Sequence, residues 1–173
     1  MKPRVSEQFD YEAELAVVIG TGGRHIAPDE AMTHVAGYTC LMDGSIRDWQ
    51  QRSTDQGKNF ASSSSIGPWL ATPDEVPPPD AWDTWRIQGR LNGQVMQSST
   101  IGALIHGVPA LIAYYSTIAE LQPGDVISTG TCAGVGHGRT PPVYLKPGDV
   151  FEVEIDGIGV LRNPVVGEEQ KYV

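Results

Sequence analysis

The hydrophobic positions of this chain fall into short runs that are interrupted by glycine, proline and small polar residues. Residues 11–19 begin with alternating apolar and acidic positions and end in a continuous apolar run. This pattern predicts a strand whose start is half exposed and whose end is buried. Asn92-Gly93, between two further runs, predicts a hairpin with a two-residue turn. Similar patterns predict strands at residues 38–42, 69–71, 85–91, 94–97, 126–129, 150–155 and 158–162.

Helical patterns are confined to two short stretches. Residues 109–120 are mostly apolar, and Pro109 suits the first turn of a helix but not its interior, so we expect a helix there. Residues 28–36 begin with Pro28 and two acids, which also suit a first turn, and predict a second short helix. The polar stretch 47–65 shows no period and is expected to be a long functional loop.

One internal repeat points to turn geometry. The segment LQPGDV at residues 121–126 returns as LKPGDV at residues 145–150. Pro followed by Gly is typical of a type II turn, and each copy precedes a predicted strand. Many strands, two short helices and tight turns together predict an α+β, mostly β domain rather than alternating βαβ units.

Composition and charge narrow the class of protein. The 20 glycines and 13 prolines exceed average usage, and 40% apolar content is enough for a core. The chain has 12 basic and 21 acidic residues, a formal net charge of −9. This charge disfavours binding to nucleic acids and to anionic membranes. It does not exclude small anionic ligands, because a bound metal ion inverts the local field.

The cysteines and the chain ends suggest a location. Cys40 and Cys132 lie far apart and form no Cys-x-x-Cys motif, which is typical of a reducing compartment. No run approaches the ~18 apolar residues of a membrane span, and residues 1–10 lack the apolar core of a signal peptide. We therefore expect a cytoplasmic protein.

Three acidic residues are candidate metal ligands. Glu12 and Glu14 stand two apart in the first predicted strand, so both carboxylates point to the same face. Asp43 follows the second predicted strand. Taken one at a time, these acids fit a solvated strand edge and a turn aspartate better than a site. On adjacent strands, however, the three would supply hard oxygen ligands that suit Mg²⁺ or Mn²⁺.

Further polar residues follow Asp43. Arg47 and Lys58 would neutralise and orient a carboxylate substrate, with Arg47 binding it bidentately, although both also fit a solvated loop. The Gly-rich segment 128–136 lacks the features of phosphate-binding loops. We expect its backbone N–H groups and the Thr131 hydroxyl to approach a ligand. None of the four histidines stands in a metal-spaced pair.

An ordered set of motifs covers nearly the whole chain. They are DYEAELAVVIG (10–20), VAGYT (35–39), DGSIRDWQ (43–50), GKNF (57–60), GPWL (67–70), LNG (91–93), PGDVISTGT (123–131), LKPGDV (145–150) and GIGVLRNP (157–164). In this order and spacing the set resembles the fumarylacetoacetate hydrolase family. Each motif is weak alone, whereas the ordered set is specific.

The resemblance implies a fold and a site. The implied fold is a mixed β-roll, or β-sandwich roll, that forms a homodimer, and the implied cofactor is Mg²⁺ or Mn²⁺. The implied residues are the metal ligands Glu12, Glu14 and Asp43, the catalytic residues Arg47, Gln50 and Lys58, and the substrate-binding residues Arg47, Lys58, Gly130 and Thr131.

The chain departs from the family pattern in three places. Relatives usually carry an N-terminal segment, in many of them a lid with a catalytic histidine, whereas this chain starts ten residues before Tyr11. Residues 1–173 are therefore expected to form one catalytic domain without that lid segment. His106 stands where many relatives have an aromatic residue, and the loop before Lys58 is shortened.

Three functions remain open at this stage. The first is an enzyme that acts on a 2-oxo carboxylate (diketo or unsaturated hydroxy acid) through a metal-stabilised enolate, by C–C bond hydrolysis, decarboxylation or isomerisation. Hydrolysis normally needs a general base, which the N-terminal segment normally supplies in relatives. A complete chain would therefore favour decarboxylation or isomerisation, and a trimmed chain would favour hydrolysis. The second is a non-catalytic metal-binding domain, or the regulatory half of a two-domain enzyme. The third is a β-rich ligand-binding protein without a metal.

Overall fold

Two four-stranded antiparallel sheets dominate the computed structural model, which describes residues 1–170. A third sheet has two strands. The α+β, mostly β class is confirmed. The strands of the described residues are β1 (Phe9–Asp10), β2 (Ala13–Ile19), β3 (Val35–Met42), β4 (Ser45–Ile46), β5 (Ser65–Ala71), β6 (Arg86–Leu91), β7 (Gln94–Thr100), β8 (Val126–Ser128), β9 (Val150–Ile155) and β10 (Gly159–Pro164).

The register of the first sheet sets the position of the candidate acids. This sheet has the strand order β5-β3-β2-β8, and the second sheet has the order β10-β9-β6-β7. In the first sheet Ala13 on β2 lies opposite Met42 on β3. The adjacent Asp43 N–H donates to the Glu12 carbonyl oxygen at 3.0 Å. Two acids that are distant in sequence are therefore neighbours in space.

The core fixes the direction of the side chains along β2. Alternation in and just before this strand turns Ala13 and Leu15 toward the second sheet, and Glu12 and Glu14 to the opposite face. Leu15 is only 1% exposed. A side chain added at Gly89 on β6 would lie 3.1 Å from the Ala13 Cβ, so the two sheets meet closely here. The apolar face of β2 thus holds its acidic face in place.

Within residues 1–170, three short α-helices accompany the sheets. The helix predicted at residues 109–120 is confirmed, with Pro109 in its first turn. No helix among residues 1–170 is both long and apolar enough to cross a lipid bilayer. The helices are α1 (Arg47–Gln50), α2 (Thr54–Lys58) and α3 (Val108–Ile118).

The prediction of one long loop at residues 47–65 is wrong. Both α1 and α2 lie within this stretch, and β5 takes its last residue. Tertiary packing stabilises the two helices: Trp49 meets Phe60 edge to face, with ring centroids 5.2 Å apart. Gly57 leaves room for α2 to approach Gln50. Helices this short have no hydrophobic period of their own, so the sequence pattern did not indicate them.

The prediction of a helix at residues 28–36 is also wrong. A single 3₁₀ turn covers Ala31–His34, and β3 begins at the next residue. Sheet pairing decides the outcome, because Val35 lies opposite Ile19 and the Gly20 N–H donates to the His34 carbonyl oxygen at 2.7 Å. These pairings override a local helical preference.

The two Pro-Gly-Asp turns form as predicted. Gly124 and Gly148 have φ angles of +93° and +94°, the left-handed values that a type II turn requires. In each copy the aspartate N–H, of Asp125 or Asp149, donates at 3.0 Å to the carbonyl three residues earlier. Each aspartate carboxylate accepts from the N–H of that same earlier residue, at 2.7 and 2.8 Å. The sequence repeat is therefore a structural repeat.

Candidate metal centre

Glu12, Glu14 and Asp43 form a carboxylate cluster on one face of the first sheet. Each offers an oxygen atom that lies within 4.8 Å of the others. Glu12 and Glu14 are buried, and Asp43 is half-buried. Carboxylates this close repel one another unless cations or protons lie between them. The structure thus brings the three predicted metal ligands together.

Lys58, the last residue of α2, contacts the cluster. Its Nζ lies 2.6 Å from Glu12 Oε2 and 2.6 Å from Asp43 Oδ2. The Lys58 side chain is 21% exposed, so solvent screens these ion pairs only in part. One ammonium group therefore holds two of the three carboxylates.

Arg47 contacts the cluster from the start of α1. Its Nη2 lies 2.7 Å from Glu12 Oε1 and 2.8 Å from Asp10 Oδ2. Its Nη1 donates to Gln50 Oε1 at 3.0 Å. Gln50, a predicted catalytic residue, thus orients Arg47 in this structure.

The two glutamates of the cluster differ in their ionisation. Burial acts to raise the pKa of Glu12, but Lys58 and Arg47 outweigh it, and the pKa lies below its ordinary value. At Glu14 burial dominates and raises the pKa to about 7, although the Ser128 hydroxyl, which donates to Glu14, opposes the rise. The difference follows from the cations, because the structure shows no ion pair to Glu14 among the described residues.

Asp10 is a site residue to which the sequence pattern assigned no role. Its side chain is fully buried and accepts hydrogen bonds from the N–H groups of Tyr11, Gly136 and His137 at 2.8, 2.8 and 2.9 Å. Its Oδ2 also accepts from Arg47 Nε at 2.9 Å. Asp10 therefore anchors Arg47 to a distant loop. Its only sequence signal is its place at the start of the DYEAEL motif.

The Gly-rich segment after β8 passes beside the cluster. The Gly130 residue has a φ of +88°, and its N–H donates to Glu14 Oε2 at 3.2 Å. The Thr131 hydroxyl donates to the Ala13 carbonyl oxygen at 3.0 Å and accepts from Gln97 Nε2 at 2.8 Å. Since its proton is already used, this hydroxyl has only a lone pair to offer a ligand.

Gln97 on β7 is a second residue that sequence reasoning missed. It is 1% exposed, and its Oε1 accepts from the Ala13 N–H at 3.0 Å. Its Nε2 donates to the Cys132 carbonyl oxygen at 2.8 Å as well as to Thr131. Because Ala13 lies between the two glutamates of the cluster, Gln97 ties that strand to the Gly-rich loop.

The charges around the cluster fit one divalent cation. Four carboxylates, those of the cluster and of Asp10, face the two cations Arg47 and Lys58. When all six groups are ionised, two negative charges have no counterpart. An all-carboxylate donor set is the chemistry that Mg²⁺ or Mn²⁺ prefers. The residues present therefore fit the predicted cofactor.

Two cavities adjoin the site. A cavity of about 950 Å³ is lined by Glu14 and Asp43 and extends to α3 and β8. A smaller cavity of about 450 Å³ is lined by Thr131 and His106. Gly130 lines both. Thr131 is thus on a different cavity from the carboxylates, whereas the other predicted site residues gather at the cluster.

A family model matches nearly the whole chain. The model of the family described as fumarylacetoacetate (FAA) hydrolase C-terminal matches residues 1–166. The chain belongs to the fumarylacetoacetate hydrolase family. This membership confirms the resemblance that the ordered motifs carry.

Members of the fumarylacetoacetate hydrolase family match over nearly all of this chain. The human protein named oxaloacetate tautomerase FAHD2A, mitochondrial, is 45% identical over 168 residues, which are 95% of this chain and 52% of that protein. The chain thus spans about half the length of the curated relatives it matches.

Solved structures of the family show the same fold. A fumarylacetoacetate hydrolase from Exiguobacterium antarcticum has a TM-score of 0.87 at 39% identity, and the match covers 95% of this chain and 58% of that one. A fumarylpyruvate hydrolase from Pseudomonas aeruginosa, solved in complex with Mn²⁺ and pyruvate, has a TM-score of 0.83 at 33% identity, covering 96% and 70%. The three relatives named above carry the names of enzymes.

Proposed function

We propose that this chain is the catalytic domain of a divalent-metal-dependent enzyme that acts on a 2-oxo carboxylate. The observation that carries the proposal is the cluster of Glu12, Glu14 and Asp43, of which Glu14 and Asp43 line a cavity of about 950 Å³. Among C–C hydrolysis, decarboxylation and isomerisation, we place keto–enol isomerisation first. The name of the human relative, an oxaloacetate tautomerase, supports this order.

In this proposal the three acids hold Mg²⁺ or Mn²⁺. A bound divalent cation supplies positive charge that polarises a carbonyl group and stabilises negative charge on its oxygen. The relative from Pseudomonas aeruginosa, solved with Mn²⁺ and pyruvate, supports the choice of cofactor and of a 2-oxo acid.

The surrounding residues have separate roles in the proposal. Lys58 fixes the carboxylates of Glu12 and Asp43, and Arg47, oriented by Gln50, fixes Glu12 from the other side. Their two positive charges offset the charge of a substrate carboxylate at the cluster. Gly130, which lines both cavities, would contact the substrate beside the cluster, and Thr131 would contact only a part of it that extends into the smaller cavity.

A turnover assay tests the proposal. The purified chain, freed of metal by a chelator, is assayed with added Mg²⁺ or Mn²⁺ on oxaloacetate, acylpyruvates and unsaturated 2-hydroxy diacids. Metal-dependent turnover of any of these is expected. Turnover on none of them would refute the enzymatic proposal.

A variant pair tests the site assignment. Glu14→Ala should abolish both the activity and Mn²⁺ binding measured by calorimetry, because it removes one of three ligands. Glu120→Ala, an exposed acid outside the cluster, is the control and should retain both. Full activity in Glu14→Ala would disprove the metal assignment.

The metal-free alternative has one observation in its favour. Lys58 and Arg47 already pair with Glu12, so that carboxylate has cationic partners without a metal. Calorimetry separates the alternatives: a ligand-binding protein without a metal would take up no Mn²⁺ at millimolar concentration.

We propose a homodimer, which light scattering would test, and exposed apolar side chains such as Tyr114 and Trp69 are compatible with one.

Cys40 and Cys132 are both free thiols, which supports the proposed reducing, cytoplasmic location. The human relative carries "mitochondrial" in its name, so cell fractionation is the deciding measurement.

A further inference from the structure

A hydrogen bond from outside the cluster reaches the proposed metal ligand Asp43. The Ser64 hydroxyl donates to Asp43 Oδ1 at 3.3 Å, whereas Lys58 Nζ lies 2.6 Å from the other oxygen, Oδ2. Each oxygen of the carboxylate thus has a donor of its own. The two donors together fix the rotation of the carboxylate about its Cβ–Cγ bond, which has no sharp preference by itself.

The pairing of β5 with β3 places Ser64 at this position. Ser65, the first residue of β5, lies opposite Met42, the last residue of β3. Because the two strands are antiparallel, the residue before Ser65 comes beside the residue after Met42. Ser64 is therefore the neighbour of Asp43 at the end of this strand pair.

The orientation of the Ser64 hydroxyl is itself fixed. Its oxygen accepts from the Gly44 N–H at 3.1 Å, so its proton is left for Asp43. A Cβ at Gly44 would overlap the Ser63 carbonyl oxygen, so the two segments pack backbone on backbone. Ser63 is buried, and its hydroxyl donates to the Phe60 carbonyl oxygen at 2.9 Å. The Ser64 hydroxyl is thus held at Asp43 by packed backbone, although Ser64 itself is exposed.

The two donors to Asp43 differ in charge, and this difference decides their effect on a metal ion. Lys58 carries a positive charge that repels an incoming cation. The Ser64 hydroxyl is neutral, so it orients the carboxylate without that repulsion. Removal of such a hydrogen bond to a ligand side chain typically costs about 10–100-fold in metal affinity.

We propose that Ser64 is a positioning residue of the metal centre, whose hydroxyl holds the Asp43 carboxylate in the orientation that binds Mg²⁺ or Mn²⁺. Ser64 acts through Asp43 and not on the substrate. This inference rests on the proposed function, because it takes Asp43 as a metal ligand. An ordinary surface hydrogen bond differs from it in one measurable respect, since its removal would leave the metal affinity unchanged.

Calorimetric titration of Mn²⁺ into the chelator-treated chain tests the inference. Ser64→Ala should weaken Mn²⁺ binding about tenfold. Ser65→Ala is the matched control, because the hydroxyl of this next residue bonds to Asn163 and not to the cluster; its affinity should equal that of the wild type. Ser64→Thr keeps a hydroxyl and should bind Mn²⁺ within about twofold of the wild type.

A kinetic measurement separates positioning from a general structural role. In the turnover assay, Ser64→Ala should need about tenfold more Mn²⁺ for half-maximal rate and should reach the kcat of the wild type once the metal saturates. A merely structural role would lower kcat at every metal concentration. The titrations are run well below the unfolding midpoint of each variant, because Ser64→Ala leaves the Gly44 N–H without its acceptor. Should Ser64→Ala not fold, Ser64→Cys, which keeps a weak donor and acceptor, should show a smaller loss of Mn²⁺ affinity in the same direction.

The outcomes separate this inference from the proposed function. A wild type that binds no Mn²⁺ would overturn both. A wild type that binds Mn²⁺ no more tightly than Ser64→Ala would overturn the inference alone and leave the metal site standing. Equal losses in Ser64→Ala and Ser65→Ala would also overturn the inference. So would a loss in Ser64→Thr as large as that in Ser64→Ala, because the hydroxyl would then not be the cause.

Discussion

The Lys58 ammonium lies 2.6 Å from Asp43 Oδ2, and the same nitrogen lies 2.6 Å from Glu12 Oε2. A positive charge therefore already stands between two of the proposed metal ligands. Its removal leaves Asp43 without its cationic partner and Glu12 with Arg47 alone, which costs on the order of 3 kcal/mol in a partly buried pair. The same removal strengthens the attraction of the cluster for a metal ion.

Lys58→Met should consequently lower the free energy of unfolding of the metal-free protein and tighten Mn²⁺ binding about tenfold, with Mn²⁺ restoring stability. Chemical denaturation and calorimetry measure the two effects. Lys146→Met, at an exposed turn, is the matched control and should change neither. Unaltered Mn²⁺ affinity in Lys58→Met would show that the ammonium and the metal do not share these ligands.

The raised pKa of Glu14 predicts an unusual pH dependence of the metal-free protein. The unfolded chain loses this proton near pH 4.5, whereas the folded protein keeps it until about pH 7. Stability from this group therefore falls as the pH rises from 4.5 to 7 and stays low above that range. Glu14→Gln, which is neutral throughout, should be more stable than the wild type at pH 8 by on the order of 3 kcal/mol.

Thermal unfolding at pH 4 and at pH 8, in chelator, checks this prediction. Below pH 4.5 the wild type and Glu14→Gln should unfold at similar temperatures, since both carry an uncharged side chain. Glu120→Gln serves as the exposed control. A wild type as stable as Glu14→Gln at pH 8 would mean that Glu14 is not destabilised by burial.

The hydrogen bonds to Asp10 predict that its substitution lowers the stability of the protein and disturbs the site. Asp10→Asn keeps the size of the side chain but supplies one acceptor oxygen to four donors, from Tyr11, Gly136, His137 and Arg47. The amide NH₂ of the new asparagine would then face donors, so we expect the free energy of unfolding to fall by about 2–4 kcal/mol.

The measurement is urea unfolding together with amide hydrogen exchange at residues 136–137, which should become faster. Asp156→Asn, whose partly exposed carboxylate pairs with Arg86, should cost less than about 1 kcal/mol. Protected amides at residues 136–137 in Asp10→Asn would contradict the anchoring role.

Gln97 predicts a coupling between the Gly-rich loop and the cluster strand. Gln97→Met removes an acceptor from the Ala13 N–H and a donor from Thr131 and Cys132. An unpaired buried N–H costs about 1–3 kcal/mol, and the loop loses its tie to β2. We expect a higher KM with a smaller change in kcat, measured by steady-state kinetics. Gln94, exposed at the start of the same strand, provides the control, and Gln94→Met should leave both constants unchanged. If Gln94→Met changed KM as much as Gln97→Met does, Gln97 would have no specific role in coupling the loop to the cluster strand.

The sequence predicted the acidic face of β2 because period two is a local property. It suggested Asp43 as a neighbour of that face only on the condition that the two strands are adjacent, and the placement of Asp43 depends on the register of Ala13 against Met42. The roles of Asp10 and Gln97 were not predicted because their side chains form hydrogen bonds to partners 126 and 84 residues away. Local patterns contain no information on such pairings, whereas the ordered family motifs imply the metal trio without explaining it.

The close packing at Gly57 predicts that the contact of α1 with α2 positions the two cations at the cluster. A Cβ at this position would overlap Gln50 Cγ and would lie 2.9 Å from the Ile46 carbonyl oxygen. Gly57→Ala should therefore push α1 and α2 apart at a cost of about 1–3 kcal/mol. Because Arg47 is on α1 and Lys58 on α2, both cations would shift from Glu12. With less positive charge beside its carboxylates, the cluster should then bind Mn²⁺ more tightly, as in Lys58→Met, which calorimetry measures. Gly107→Ala, where the nearest atom lies 3.8 Å away and φ is −64°, is the control and should cost less than about 1 kcal/mol. Equal Mn²⁺ affinity in the two variants would show that the packing of α1 on α2 does not position the two cations at the cluster.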